Sequence, residues 1–451
     1  MNKDFGTNSV SRSFVLRSGI FVAVLLLVLT AFFFRESLSE QIRATIGLGC
    51  FLGVIVACSS NIFGIRWRTV LWGLGLQIFF ALFIFKFELG GVRFGYEMFS
   101  ALAGIVSQFL EFTNVGSEFV FGVLASPDEL SKVFPNGLVL AFSALPIIIF
   151  VSSVFAVLYH LGFLQILVKI MARLMIPLMR TSGAETLSAT ANIFMGQTEA
   201  PIIVKPYIPK MTESELLTLM VGGLATIAGS MFVIYMSLGA DPVAMLTTSV
   251  MSAPCGLYLS KILIPEVSQR NSVNDVEVAL SREHVNMIDA AASGASDGMR
   301  VAINVAAMLI AFLAFIAMFD FLIGLVIPGL SMARILSILF SPIASLLGVS
   351  AKDVPVVAEL LGTKLVTNEF VAYIKMSSDY GNVLTARSEM LVTFALTGFA
   401  NFGSIGIILG GIGMLAPTRR SDLARLSARA LLAGFVVTLI NASIVAILVA
   451  P

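Results

Sequence analysis

Apolar runs of about twenty residues recur along this chain, separated by short polar or basic connections. A helix needs about twenty mostly apolar residues to cross the hydrocarbon core of a bilayer. Such runs lie at about 14–34, 44–60, 69–86, 137–159, 216–237, 242–264, 299–327, 388–414 and 430–450. They are continuously apolar rather than alternating, which favours helices over a β-barrel. The expected fold class is an all-α polytopic membrane protein with about nine transmembrane helices. The run Ser13–Phe34 follows a charged start. It is long for a signal-peptide core and no small-residue cleavage pattern closes it, so it reads as a retained span.

Other segments are apolar but less suited to crossing. Met98–Phe112 carries Gln108 and Glu111 and reads either as a helix in the membrane interface or as a tilted span. Residues 161–182 space Lys169, Arg173 and Arg180 along one side, as a surface or linking helix does, and residues 331–348 form a second amphipathic piece. Pro146 should kink the span at 137–159. Residues 265–297 are the most polar stretch and read as an extramembrane loop leading into an interfacial helix.

Two stretches break the pattern more sharply. NIFMGQTEAPIIVKPYIP, Asn192 to Pro209, sets Asn192, Gln197, Thr198, Glu199 and Lys205 among Gly196, Pro201, Pro206 and Pro209. A regular buried helix tolerates neither that polar load nor those breakers. From Ser182 to Lys210 the apolar parts on either side of Gly196 are each about ten residues, half a crossing. GTKLVTNEFVAYIKM, Gly362 to Met376, echoes it within residues 354–378, with its tip near Thr367-Asn368-Glu369. Each stretch is an ordinary loop between spans or a re-entrant hairpin, whose non-helical backbone must be buried in protein or line a wet cavity. Thr212 with Glu215 three residues on is a capping box that starts the next span.

The order of elements repeats. Gly223–Ala228 (GLATIA) and Gly398–Gly403 (GFANFG) each follow a polar hairpin by about thirty residues. Hairpin, broken span and plain span therefore occur twice, with the run 299–327 between the two sets. An odd number of crossings between them inverts the second set. Inverted repeats with two re-entrant helical hairpins and discontinuous helices are how secondary transporters build a site at mid-membrane depth.

Composition agrees and narrows the chemistry. The chain is 58% hydrophobic and 12% charged, about half the charge of a soluble domain. The net charge of +1 says nothing of partners, and no feature points to nucleic acid. Arg12 and Arg17 precede the first span, Arg66 and Arg68 follow the second, and Arg419, Arg420, Arg425 and Arg429 fill a basic loop, 418–429. The positive-inside rule then puts the N-terminus and that loop in the cytoplasm and loop 35–43 outside. Cys50, Cys58 and Cys255 form no CxxC pair and read as small buried hydrophobes. His160 and His284 lie in separate regions, and no metalloprotease, phosphate-binding or nucleophile-elbow motif appears, so an enzyme is not expected.

Glu199 and Glu369 are the residues that demand an explanation. An acid at the centre of a membrane helix costs about 2.5–3.5 kcal/mol, so it finds a partner or a ligand. Glu199 with Lys205, and Glu369 with Lys364 or Lys375, are the candidate ion pairs. The candidate ligand is a neutral polyhydroxyl or heterocyclic molecule, because carboxylates accept from its O–H and N–H groups while Gln197, Asn368 and Asn401 donate and accept. Asn192, Thr198 and Thr226 offer neutral oxygens, and broken backbone at Met195 and Ile227 exposes carbonyls, a set that suits Na+. Threonine in a membrane helix also commonly bonds its own backbone. Glu359 and Asp379 flank the second hairpin and are expected in solvent.

GQTEAP (Gly196–Pro201), NEFVAY (Asn368–Tyr373) preceded by Gly362-x-Lys364, and GFANFGSIG (Gly398–Gly406) resemble the concentrative nucleoside transporter family. So do ALPIIIF (Ala144–Phe150), AETLSATANIF (Ala184–Phe194) and SAPCGLYLSKILIPE (Ser252–Glu266), and the resemblance covers nearly all of residues 41–451. The resemblance implies a homotrimer in the lipid bilayer of a bacterial inner membrane, with a central scaffold and an elevator-type transport domain. On that scheme 1–40 holds an extra N-terminal transmembrane helix added to an eight-span core. Residues 41–181 and 265–350 (polar linker and span) are scaffold, and 182–264 and 351–451 are the two transport-domain repeats.

By the same resemblance Gly196, Gln197, Thr198 and Glu199 face a nucleobase, Met231 and Phe399 pack on it, and Glu369, Asn401 and Ser404 bind the ribose hydroxyls. The implied Na+ ligands are the side chains of Asn192, Thr198 and Thr226 and the carbonyls of Met195 and Ile227. Thr226 stands where the family commonly has Ser, which keeps the hydroxyl. Met231 occupies a variable position, which leaves uridine-like and purine nucleosides both open. The implied function is Na+-driven nucleoside import, with Na+ as coupling ion and no other cofactor. H+-coupled symport through Glu199 or Glu369 is the alternative, although proton-coupled relatives tend to lose the Thr of GQTEAP. A channel or a non-transporting nucleoside sensor would be further readings.

Overall fold

The computed structural model describes residues 4–126, 129–130, 132, 139–143, 145–266, 284–381 and 383–449. Its described elements are helical. Among the described residues six helices are long and apolar enough to cross a membrane: Ser13–Phe33 within α1 (Asp4–Phe33), α2 (Glu40–Ala57), α3 (Trp67–Phe85), α10 (Pro242–Leu263), α11 (Met287–Val326) and Pro417–Leu448, which contains α17 (Arg420–Leu448). α5 (Leu145–His160) meets α6 (Phe163–Met179) at a 70° bend, where Gly162 supplies a positive φ of 81°. Ala144, beside the Pro146 expected to kink this span, lies outside the described residues. Two further spans are interrupted: α8 (Glu213–Ala225) with α9 (Gly229–Ser237), and α15 (Ala386–Leu396) with α16 (Phe402–Leu415). α4 (Phe94–Phe121) contains the Met98–Phe112 segment and carries Glu97, Glu111 and Glu118 along its length, which keeps it out of the crossing set.

Hairpin 1 opens with α7 (Gly183–Ala191), capped by Ser182 and Glu185 in a capping box. Hairpin 2 is α13 (Val354–Val366) and α14 (Glu369–Ser378). Its turn falls at Thr367 and Asn368, and Asn368 Oδ1 accepts from Val371 N at 2.9 Å, so the tip residue is itself the helix cap. Each hairpin is preceded by an amphipathic helix packed on its first limb, α6 on α7 and α12 (Met332–Ser345) on α13. Each of these helices holds a proline near its end, Pro177 and Pro342. α5 and α11, which come before them, make the most extensive helix pair in the fold. The repeat is thus five elements long: span, amphipathic helix, hairpin, broken span, plain span.

Three sequence expectations need correcting. The second limb of hairpin 1 is one helical turn, Ala200–Ile203, followed by turns and a short 3-10 segment at Ile208–Lys210. Pro201, Pro206 and Pro209 remove the N–H groups a ten-residue limb would need. Among the described residues of the polar region 265–297, the end of the region is not a separate interfacial helix but the start of α11. Residues 267–283 lie outside the described residues, and α11 runs unbroken from Met287 for 40 residues. Its two early glycines serve packing instead. A Cβ at Gly294 would lie 2.7 Å from Ser152 O, and one at Gly298 2.7 Å from Ile149 Cα, so this Gly-x-x-x-Gly face lets α5 approach closely. Finally, the basic segment 418–429 is not a loop. It is a short 3-10 turn and the first turns of α17, because no breaker follows Pro417.

Packing sets the centre. α10 and α17 are almost wholly buried and touch each other, α8 packs on both, and α15 also packs on α17. α2 packs on α17 and α3 on α10, with α1 outside α2. α1 and α11 expose most of their apolar windows, as lipid-facing helices do. Gly398 shapes the second break with φ 145°, and a Cβ there would meet Thr438 Cγ2 at 2.9 Å and Ala225 O at 3.1 Å. Gly398→Ala should therefore cost about 1–3 kcal/mol, read as a lower unfolding midpoint of the detergent-purified protein. An unchanged midpoint would mean that the break tolerates a side chain.

Candidate functional site

The two broken spans cross at their breaks. α8 stops at Ala225 because the chain turns extended at Thr226, and α9 restarts at Gly229. α15 stops at Leu396, and α16 restarts at Phe402 with Asn401 as its cap. The N–H of Phe399 donates to the carbonyl of Thr226 at 3.2 Å and joins one break to the other. Each break leaves helix-end groups without intrahelical partners, so the polar groups of both repeats gather at one level.

The tip of hairpin 1 lies on the first break. Gly229 N donates to Phe194 O at 3.2 Å. A Cβ at Gly222 would sit 2.9 Å from Asn192 Nδ2, one at Gly223 2.8 Å from Gln197 Cβ, and one at Gly196 3.1 Å from Ala228 Cβ. Glycine in these rows lets the tip touch the α8 backbone. Asn192 is fully buried. Its Nδ2 donates to Ser188 O at 3.0 Å, while its Oδ1 has no partner, and neither has Oε1 of the buried Gln197. Thr226 Oγ1 donates to Gly222 O at 2.9 Å and keeps its lone pairs. An orphaned amide oxygen near a hydroxyl and a broken backbone has the donor chemistry of a small hard cation site, and Asn192 and Thr226 are brought together on Gly222. Thr198 is exposed and lies against α16, 3.1 Å from where a Cβ of Gly411 would be.

Hairpin 2 delivers Glu369 to the other side of the crossing. The carboxylate is buried and accepts from Tyr235 OH at 2.7 Å and from Asn401 Nδ2 at 3.0 Å. Asn401 Oδ1 accepts in turn from Ser404 N at 2.8 Å. Tyr235 stacks on Tyr373 of the same hairpin, centroids 4.6 Å apart. Met231 is buried one helical turn before Tyr235, and Phe399 is half-buried at the break. The structure thus brings Glu369, Asn401 and Ser404 into one hydrogen-bonded set.

Glu199 is placed differently. Its carboxylate accepts from Gly196 N at 3.1 Å and opens onto a cavity of about 220 Å3 between hairpin 1, α5 and α11, also lined by Phe155, Tyr159, His284 and Asp297. The candidate ion pairs of the two acids do not form. Lys205 is exposed, Lys375 pairs with Glu359, and Lys364 donates to Ala395 O and Thr438 Oγ1. Glu359, expected in solvent, is buried, because Lys375 and Tyr380 both return to its carboxylate. Asp379 is exposed.

Sequence reasoning missed Tyr235. Its signal was the four-residue spacing from Met231, which puts both on one helix face. It also missed the buried pair of Lys261 and Glu185 at 2.6 Å, which ties the base of hairpin 1 to α10. Among the described residues no cluster of three or more His, Cys, Asp or Glu side chains is placed to hold a metal ion.

Inverted, interrupted helices whose breaks carry buried carboxylates and amides define a secondary-transporter fold. Residues 46–124 match the family described as Na+ dependent nucleoside transporter N-terminus, residues 244–446 its C-terminus, and residues 141–242 a nucleoside-recognition gate family. The chain belongs to the concentrative, Na+-dependent nucleoside transporter family. It is 42% identical to sodium/nucleoside cotransporter 1 of Homo sapiens over 91% of this chain and 64% of that protein. It therefore spans a little under two thirds of the length of that relative. An uncharacterized transporter of Haemophilus influenzae is 39% identical over 89% of this chain and 96% of its own length. A solved structure of CNTnw in an inward-facing substrate-bound state superposes with a TM-score of 0.85 at 38% identity, covering 90% of this chain and 98% of that one. A CNTnw variant in an outward-facing state gives 0.84 at 37%, covering 90% and 97%.

Tyr235→Phe removes one of the donors that hold the Glu369 carboxylate. A hydrogen bond to a charged group is worth about 1.5–3 kcal/mol, so the purified variant should unfold several degrees below the parent. Equal midpoints would show that the carboxylate finds another donor.

Proposed function

We propose that this protein is a secondary active symporter that imports nucleosides, uridine-like and purine nucleosides among them, driven by the Na+ gradient. The observation that carries the reading is the joint at Phe399 and Thr226. One side of that joint presents an orphaned cation ligand, and the other a carboxylate-amide set suited to hydroxyl groups. Na+ bound by Asn192, Thr226 and the carbonyls of Met195 and Ile227 would fix the first break. Through the Phe399 amide it would then set the position of the aromatic ring and of Asn401. Glu369, Asn401 and Ser404 take the ribose, and Gly196, Gln197, Thr198 and Glu199 face the base with Met231. Cation and nucleoside thereby depend on the same backbone joint, which is what coupling requires.

The helix contacts also support an elevator in which α5 and α11, with α4, form the fixed scaffold of a homotrimer. α2 and α3 pack on α17 and α10 and travel with the hairpins in this reading. The protein sits in an inner membrane with its N-terminus and the arginines of early α17 on the cytoplasmic side.

Labelled uridine uptake into proteoliposomes tests this. With an inward Na+ gradient the solute should rise above equilibrium, and with choline in place of Na+ at fixed pH it should not. Accumulation in choline driven by an acid exterior would hand the coupling to protons. Bound but untransported uridine would make the protein a sensor. Thr226→Ala removes one hydroxyl ligand, worth about 1–1.5 kcal/mol, so the Na+ concentration for half-maximal uptake should rise about tenfold. An unchanged Na+ curve would remove Thr226 from the ion site.

A further inference from the structure

Lys364 is fully buried and takes no part in the site as assigned above. It leaves the last turn of α13, the first limb of hairpin 2. Its Nζ donates to the carbonyl of Ala395 at 2.8 Å and to Thr438 Oγ1 at 3.1 Å, and it stands 5.4 Å from the centroid of the Phe435 ring. A buried ammonium that bonds to a carbonyl and a hydroxyl instead of a carboxylate is costly, and in a membrane protein such a group marks a functional role.

The acceptor explains the role. In an unbroken helix the carbonyl of Ala395 would accept from the N–H of Phe399, four residues on. That N–H is bonded instead to Thr226 O. The break therefore frees one carbonyl, and Lys364 supplies the missing donor. Thr438, the other acceptor, packs on the break itself, since its Cγ2 is 2.9 Å from where a Cβ of Gly398 would lie. Withdrawing the ammonium would leave Ala395 O unsatisfied at the centre of the fold. The cheapest repair is for Phe399 N–H to return to it, which lets go of Thr226.

The first repeat has the same layout. Asn192 is the C-cap of α7, the first limb of hairpin 1, and Thr226 is the C-cap of α8, the first half of the broken span. In both repeats two helix C-termini, each the negative end of its dipole, converge between a hairpin and a break. The proposed Na+ answers that convergence in the first repeat. In the second the corresponding place is filled from within the chain.

We propose that Lys364 is a built-in cation of the second repeat. It is a positioning residue that holds the Phe399 amide on Thr226, and so sets Na+ affinity from a place that touches neither Na+ nor nucleoside. This rests on the symport reading. A corollary is that the second repeat binds no Na+ of its own.

The test compares the parent and Lys364→Met, which keeps an apolar stem and removes the charge and the donor. Two readouts are taken on purified protein: the unfolding midpoint, and the Na+ concentration for half-maximal binding of labelled uridine. Removing the ammonium relieves its desolvation cost, which offsets the donor lost by Ala395 O, so the midpoint should stay close to the parent's while the Na+ requirement increases at least tenfold. A lysine needed only for folding would lower the midpoint and leave the Na+ curve of the folded fraction unchanged, and that result overturns the proposal. Should Lys364→Met fail to fold, Thr438→Val decides. It should raise the Na+ requirement about threefold, and an unmoved curve overturns the proposal. Parental binding that ignores Na+ would count against the symport reading itself, whereas Na+-dependent parental binding with an unaltered variant counts against Lys364 alone.

Discussion

One backbone hydrogen bond, Phe399 N–H to Thr226 O, joins two helices that both stop in the middle of the fold. Stopping a helix inside a membrane is expensive, because unpaired backbone groups find no water there. The structure meets that cost locally. Thr226 bonds back to Gly222, Phe194 O takes Gly229 N, Asn401 caps α16, and Lys364 takes Ala395 O. Among the buried side-chain atoms left without a partner are the amide oxygens of Asn192 and Gln197, residues that pack against Gly222 and Gly223 just before the break of the first repeat. Polar capacity left open there has the chemistry a bound ligand needs.

The rest of the architecture keeps the joint in place. α10 and α17, the plain spans that end each repeat, form the buried centre. Gln77 on α3 reaches them through Asn441 and Tyr258, with Nε2 to Asn441 Oδ1 at 2.5 Å and Oε1 accepting from Tyr258 OH at 2.9 Å. Asn441 continues to Thr248 and Ser252. A polar network this well satisfied specifies one arrangement of three helices where apolar packing alone would allow sliding. α5 and α11 are built the opposite way. Their contact runs through Gly294 and Gly298, and α11 otherwise shows most of its apolar surface to the surroundings. The first assembly is keyed by polar groups and the second by shape, a division suited to one body that moves and one that stays.

Legibility in the sequence followed the range of each interaction. Hairpin 2 could be read closely because its turn residue, Asn368, is a local capping signal three residues from the N–H it accepts, that of Val371. The capping box at Thr212 and Glu215 was readable for the same reason. The second limb of hairpin 1 has the apolar length of a half-span, but its three prolines remove the N–H groups a helix there would need, and the limb is one turn. The helical start of α17 is not legible in its basic segment, because arginines report membrane depth, not backbone conformation. Glu359 looked solvated because Lys375 and Tyr380 come back to it only once α14 has folded against α13. Tyr235 and Thr438 find Glu369 and Lys364 across 134 and 74 residues, and no local pattern carries contacts of that range.

The two repeats share a plan yet differ where it matters. In the first, prolines shorten the second limb of the hairpin to one turn and leave a tip of amides, a threonine and Glu199 outside regular helix. In the second, α14 is regular and brings Glu369 to a fixed place between Tyr235 and Asn401. The cation follows the same division. In the second repeat the corresponding place is held by Lys364, a side chain of the chain itself at 0% exposure, bonded to Ala395 O and Thr438 Oγ1. The repeated layout thus gives two comparable places between converging helix ends, one closed by Lys364 and one left with the open amide oxygen of Asn192, and the bond between Phe399 and Thr226 joins the two.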